Sequence, residues 1–290
     1  MMRGASEWGL LQTIAAVVCP SSVQKKHKQH QRPSMIDTHC HFDFSPFREA
    51  PDQYWQDARE SGVTRMVVPS VSSLNWDTVI HLTTQFAGLY AGLGLHPCFL
   101  EQHPDNSLDA LTRRLDKRPR TCVAVGEAGL DFVAADTAPQ QARQQALLEG
   151  QLWLARHYGL PIILHSRKAH NQLLQMVKAF PGVRGVLHAF SGSEQQGKQF
   201  IDVGLMLGVG GTVTYPRANK TRRAIAQLPL EHLVLETDAP DMPLAGFQGK
   251  PNTPAQVSRV ADAVSCLKSC DRDHLVFETS GNAERMFGFN

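Results

Sequence analysis

Short apolar runs bounded by turn residues alternate along the chain with longer amphipathic segments, the pattern expected for repeated βα units around a parallel sheet. Strands are predicted near 35–38, 64–71, 89–95, 122–127, 161–165, 185–190, 205–210 and 233–238. Between the fourth and fifth runs, Leu147, Leu148, Gln151, Leu154, Ala155 and Tyr158 recur at helical spacing and stop at Gly159-Leu160-Pro161, so Gln140–Tyr158 reads as a helix. Eight strands separated by helices predict an α/β fold of the closed (β/α)8 TIM-barrel type. No Gly-x-Gly-x-x-Gly follows the first run, which weakens an open dinucleotide-binding sheet.

The first 34 residues do not follow this pattern. Gly9–Val18 is a short apolar run behind Arg3, and Gln24–Arg32 is polar and basic. The run has the length of a signal-peptide core, but it contains Gln12 and no small-x-small cleavage site follows. It is too short to span a bilayer. Residues 1–34 are therefore read as an extension or misassigned start, and 35–290 as a single catalytic domain.

In such a barrel the working groups sit at the C-terminal ends of strands. Here the first run ends in Asp37-Thr38-His39-Cys40-His41, the fourth in Gly126-Glu127, the fifth in His165-Ser166-Arg167, the sixth in His188 and the eighth in Glu236-Thr237-Asp238. Residues two apart on a strand share a face, so His39 and His41 are expected to share one cation, with Asp37 behind them and Cys40 pointing away. The candidate ligands are His39, His41, Glu127, His165, His188 and Asp238. A set of imidazoles and carboxylates without thiolates suits zinc, manganese or another first-row ion better than calcium, and argues against a closed structural zinc site. Six ligands exceed what one ion needs. A pair of divalent ions about 3.5–4 Å apart, bridged by a carboxylate such as Glu127, would use them all and would suit phosphate-ester hydrolysis.

These segments also resemble a known family. Ile36-Asp-Thr-His-Cys-His-Phe42, Gly94-Leu-His-Pro97, Gly126-Glu-Ala-Gly-Leu-Asp131, Leu164-His-Ser-Arg167, His188-Ala-Phe-Ser-Gly192 and Glu236-Thr-Asp-Ala-Pro240 closely resemble the TatD family of metal-dependent hydrolases, from Met35 to about Phe289. Gly208–Pro216 and Asp238–Gly249 look more narrowly like its bacterial YjjV-type subgroup. Ala128 departs from the family, which more often has Ile there. The resemblance implies that His39 and His41 hold one ion completed by Asp238, that His165 and His188 serve a second, and that Glu127 is shared. It implies metal-dependent DNase activity. Two divalent ions per chain, zinc, manganese or magnesium, are expected. The expected mechanism is attack on phosphorus by a metal-activated water, with Asp238 as general base.

His96 is expected to donate to substrate or orient a ligand, and Glu236 either anchors the mouth or acts directly. Arg167, Lys168, Arg217 and Lys220 follow the fifth and seventh strands, where they could meet phosphate or form a solvated rim. His81, His103, His157, His170, His232 and His274 receive no role. Pro240–Pro254, rich in Pro and Gly, is expected to form a loop over the mouth.

Composition limits these readings. With 29 Lys+Arg against 27 Asp+Glu the formal charge is +2, so attraction to phosphate must be local. No aromatic-rich basic stripe is present, which keeps open a second reading, a hydrolase of small amides, lactones or phosphate esters at the same metal pair. A barrel that binds metal without turnover is disfavoured by the complete ligand set. Six scattered cysteines do not form a disulfide framework, and Cys266-x-x-x-Cys270 lacks a second ligand pair nearby. A cytoplasmic protein is expected, with DNA as the probable substrate, no membrane association and no obligate protein partner.

Overall fold

A computed structural model describes residues 34–289. Eight parallel strands pair in chain order: β1 (Met35–Asp37), β2 (Val63–Pro69), β3 (Leu89–Leu93), β4 (Cys122–Asp131), β5 (Ile162–Arg167), β6 (Gly185–Leu187), β7 (Leu205–Val209) and β8 (Leu233–Leu235). The sheet closes where β8 meets the chain beyond β1. The Thr38 amide and hydroxyl both donate to the Leu235 carbonyl at 3.0 Å, and Cys40 bridges Ala239. Helices α1 (Pro51–Glu60), α2 (Trp76–Gln85), α3 (Ser107–Asp116), α4 (Ala138–Tyr158), α5 (His170–Lys178), α6 (Glu194–Asp202), α7 (Asn219–Gln227) and α8 (Val257–Lys268) alternate with the strands, and α9 (Arg272–Phe287) follows. The expected barrel is observed. The reading of residues 1–34 falls, except for Ser34, outside the described residues. Among the described residues no helix is long and apolar enough to cross a membrane.

Strand alternation decides which side chains reach the mouth. Ile162 and Leu164 of β5, Leu187 of β6, and Leu233 and Leu235 of β8 pack outward in the main core that also holds the helices. Ile163, Val186 and Val234 turn the other way, into a second cluster closed by Ala283, Met286 and Phe287 of α9. His165, His188 and Glu236 lie two residues beyond these inward positions and continue the inner face into the mouth.

Two strands depart from the predicted spans, and both departures shape the site. β1 ends at Asp37, so His39 and His41 are not neighbours on a regular strand as expected. The Asp37 carboxylate accepts from the His39 and Thr237 amides at 3.2 and 3.0 Å and from the Thr237 hydroxyl at 2.6 Å, and so fixes the irregular ends of β1 and β8 together. β4 runs on to Asp131 rather than stopping at Glu127. Val125 pairs with Ile162 but Ala128 with Leu164, so β4 takes three residue steps where β5 takes two. That bulge turns Glu127 inward while Val125, Ala128 and Leu130 stay in the outer core.

Candidate metal centre

The six predicted ligands converge in the mouth. His39 Nε2 lies 3.4 Å from His41 Nε2, and Asp238 Oδ1 lies 3.4 and 3.7 Å from these nitrogens. His165 Nδ1 and His188 Nε2 face each other at 3.1 Å. Glu127 stands between the two groups. Its Oε2 lies 3.1 Å from His39 and 3.4 Å from His41, while Oε1 lies 2.9 Å from His188 and 3.3 Å from His165.

These atoms fit a cation centre on their own chemistry. Both Glu127 oxygens are buried and lack a hydrogen-bond partner, although imidazole nitrogens crowd them. Nitrogen and oxygen lone pairs that approach without hydrogen-bond geometry converge on shared points between them, and a buried carboxylate left so is costly unless compensated. Burial alone would raise the Glu127 carboxyl, but facing His96, His188 and His39 hold it well below its ordinary value. It is therefore an anion, the form a cation binds. Burial and the neighbouring His188 hold His39 well below the usual imidazole range, which leaves a neutral ring with a lone pair to offer.

Backbone geometry sets each donor. Cys40 points into the outer core as expected, which leaves His39 and His41 to the mouth. The amide of Asp238 donates to the His39 carbonyl at 2.8 Å, and Asp238 adopts a left-handed φ of 57° that turns its carboxylate back over the histidines. Burial raises its carboxyl.

Sequence reasoning passed over Asp131. Its Oδ2 lies 2.9 Å from His165 Nε2, which gives that nitrogen the hydrogen and leaves Nδ1 bare toward Glu127 and His188. Its Oδ1 accepts from the Val133 and Ala134 amides, both at 2.9 Å. Burial raises the Asp131 carboxyl, yet the bonds from His165 and these amides bring it below the usual carboxylate range. The residue stood in the Gly126–Asp131 motif, but a strand ended at Glu127 hid its place two residues past Gly129 on the same face of β4. Asp43 was also missed; it is buried and accepts from Asn75 Nδ2 at 2.8 Å.

The remaining candidates separate. His96 is buried, and its Nδ1 accepts from the Cys98 amide at 3.0 Å. The neutral ring then carries its hydrogen on Nε2, which faces Glu127 Oε1 at 3.0 Å. His103, given no role, holds the His96 carbonyl through Nε2 at 2.9 Å. Glu236 is fully buried, takes the Ala189 amide on Oε1 at 2.5 Å and lies 3.9 Å from His188 Nδ1, so it anchors the segment that carries His188. Burial pushes its carboxyl up to about 8. Arg167, Lys168, Arg217 and Lys220 are exposed and outside the convergent cluster. Arg217 stacks over Tyr215 at 5.2 Å, and Lys220 reaches Gln196 at 3.4 Å. The Pro240–Pro254 loop is tied at its base by Asn252, whose amide donates to the Pro240 carbonyl at 2.9 Å.

Comparison with known proteins places this geometry. Residues 36–288 match the family described as TatD related DNase. The chain belongs to the TatD family of metal-dependent hydrolases. Within it, the chain is 49% identical over 253 residues to the uncharacterized metal-dependent hydrolase YjjV of Escherichia coli K12, covering 87% of this chain and 97% of that one. A TatD-family relative from Erwinia amylovora, named 3'-5' ssDNA/RNA exonuclease TatD, is 30% identical over 262 residues, covering 88% and 100%. The crystal structure of E. coli YjjV superposes with a TM-score of 0.86 at 47% identity, over 90% of this chain and 100% of that one.

Proposed function

We propose that this TatD-family hydrolase is a nuclease that cleaves DNA phosphodiesters, with two divalent cations held across Glu127. The observation that carries the reading is the division of that carboxylate, with Oε2 toward His39 and His41 and Oε1 toward His165 and His188. In it His39, His41 and Asp238 hold one cation, and His165 and His188 hold the other. The four imidazoles and two carboxylates suit zinc or manganese better than magnesium, which prefers oxygen donors. When bound, such a pair supplies Lewis acidity and a nucleophile from water near neutral pH.

The chain's own residues do the rest. Asp238 is the general base: its Oδ1 borders the His39–His41 side of the mouth, and its raised carboxyl makes it a better proton acceptor than an ordinary aspartate. Asp131 keeps His165 in the tautomer that presents Nδ1. His96 packs its Nε2 3.0 Å from Glu127 Oε1 and limits where that carboxylate can move. Arg167 and Arg217, exposed after β5 and β7, meet substrate phosphates as local positive charge on a nearly neutral protein.

Support for nucleic acid comes from the relatives named 3'-5' ssDNA/RNA exonuclease TatD. A reducing cytoplasm suits Cys40 and Cys122, which are buried thiols. The test is a screen of chelator-stripped protein, reconstituted with Mn2+, Mg2+ or Zn2+, on single-stranded DNA, RNA, simple phosphodiesters, amides and lactones. Metal-dependent DNA cleavage is expected. Turnover confined to amides, lactones or small esters would refute the nuclease reading.

A further inference from the structure

We propose that Cys98, Asp131 and His165 form an additional site for a thiophilic divalent cation, of the zinc and cadmium class, which shares His165 with the centre above and whose occupancy slows the enzyme. Cys98 lies in the 3-10 segment Pro97–Gln102 that follows β3, Asp131 ends β4, and His165 belongs to β5. The Cys98 thiol donates to Asp131 Oδ2 at 3.3 Å, and the same oxygen accepts from His165 Nε2 at 2.9 Å. A sulfur and a nitrogen thus meet at one carboxylate oxygen. Ligand atoms of His96, Cys98 and His165 also lie within 4.8 Å of one another.

The surroundings favour a cation there. Asp131 Oδ1 is engaged by two backbone amides, which fixes the carboxylate, and Oδ2 takes the hydrogens of Cys98 and His165, the two that a cation would replace. Asp131 is buried while Cys98 is exposed, so the thiol stands at the solvent entrance. Thiolate, imidazole and carboxylate are the donors of open zinc sites, and a sulfur ligand selects zinc or cadmium over magnesium and manganese.

Binding takes up one cation and releases two protons, one from the Cys98 thiol and one from His165 Nε2. The hydrogen bonds that His165 and Cys98 make to Asp131 Oδ2 are both lost. His165 then shares its two nitrogens between this cation on Nε2 and the centre that Nδ1 faces, and its aim into that centre is no longer set by Asp131. The effect on rate rests on the two-cation reading above; the existence of the site does not.

The experiment titrates Cd2+ and Zn2+ into the full-length Mn2+-loaded protein and its Cys98→Ser variant. Near-ultraviolet cadmium–thiolate absorption, bound cations per chain and the rate on a phosphodiester are followed. Wild type is expected to show more thiolate absorption and one more bound cation than Cys98→Ser, and to lose rate at Zn2+ concentrations about tenfold or more lower. Equal absorption and equal stoichiometry in the two proteins would overturn the proposal. So would an equal, Cys98-dependent loss of rate in excess Mg2+. If Mn2+ supported no turnover at all, the nuclease reading would fail, and the Cys98-dependent absorption would still decide this site.

Discussion

Glu127 divides the mouth into two donor groups, and few other side chains have so many partners within reach. Glu127→Ala and Asp238→Ala are each expected to abolish turnover while the barrel stays folded. Steady-state rates beside far-ultraviolet circular dichroism check this, and near-normal rates in either variant would refute its role. Asp131→Ala should lower cation affinity or kcat/KM by about 10–100-fold, because His165 loses the acceptor that fixes its tautomer. Asp131→Asn keeps an acceptor oxygen and should recover part of that loss, which a merely bulky role would not require. The six side chains that converge in the mouth were legible in the sequence, because imidazole and carboxylate residues at strand ends stand out one by one. Asp131 and Cys98 were not legible, because their contacts run between strands, Asp131 to His165 and Cys98 to Asp131, about which spacing along one strand says nothing.

At the level of elements, the register between β4 and β5 places half of the site. Gly129 has φ near 140°, and a Cβ built there would stand 2.1 Å from the His165 carbonyl oxygen. Gly129→Ala is therefore expected to destabilise the fold by more than about 1 kcal/mol and to move His165, lowering both melting temperature and rate. Wild-type stability in that variant would contradict the close approach. On the far side of the barrel, Asp37→Ala would leave the buried Thr237 amide and hydroxyl without their acceptor, at a cost of about 1–3 kcal/mol in denaturant unfolding. Eight runs of apolar residues announced the strands, and Gly159 announced the end of α4, whose C-cap it forms with φ 63°. The bulge in β4 and the early end of β1 were hidden, since a one-residue slip in pairing depends on the partner strand. The buried face of α4 was misleading in the same way: Gln151, which fits an apolar helical stripe, instead holds the Leu95 backbone at 2.8 and 3.1 Å beside His96.

For the whole molecule, the family match begins at residue 36 and the first described strand at Met35. A chain that begins at Met35 is expected to keep wild-type turnover, checked by assaying it beside the full-length protein; loss of soluble protein would show that the domain boundary is misplaced. The near-balanced charge says that any nucleic-acid affinity comes from the rim rather than from the overall field. The central claim is that this barrel is a hydrolase run by a pair of cations around Glu127. Its most direct test is to strip the protein with chelator, titrate Mn2+ back, and record bound metal per chain together with the rate on a phosphodiester. Two bound ions per chain, with turnover appearing as they bind and vanishing on re-chelation, is the result predicted. Full turnover in stripped protein, or with a single bound ion, would contradict it.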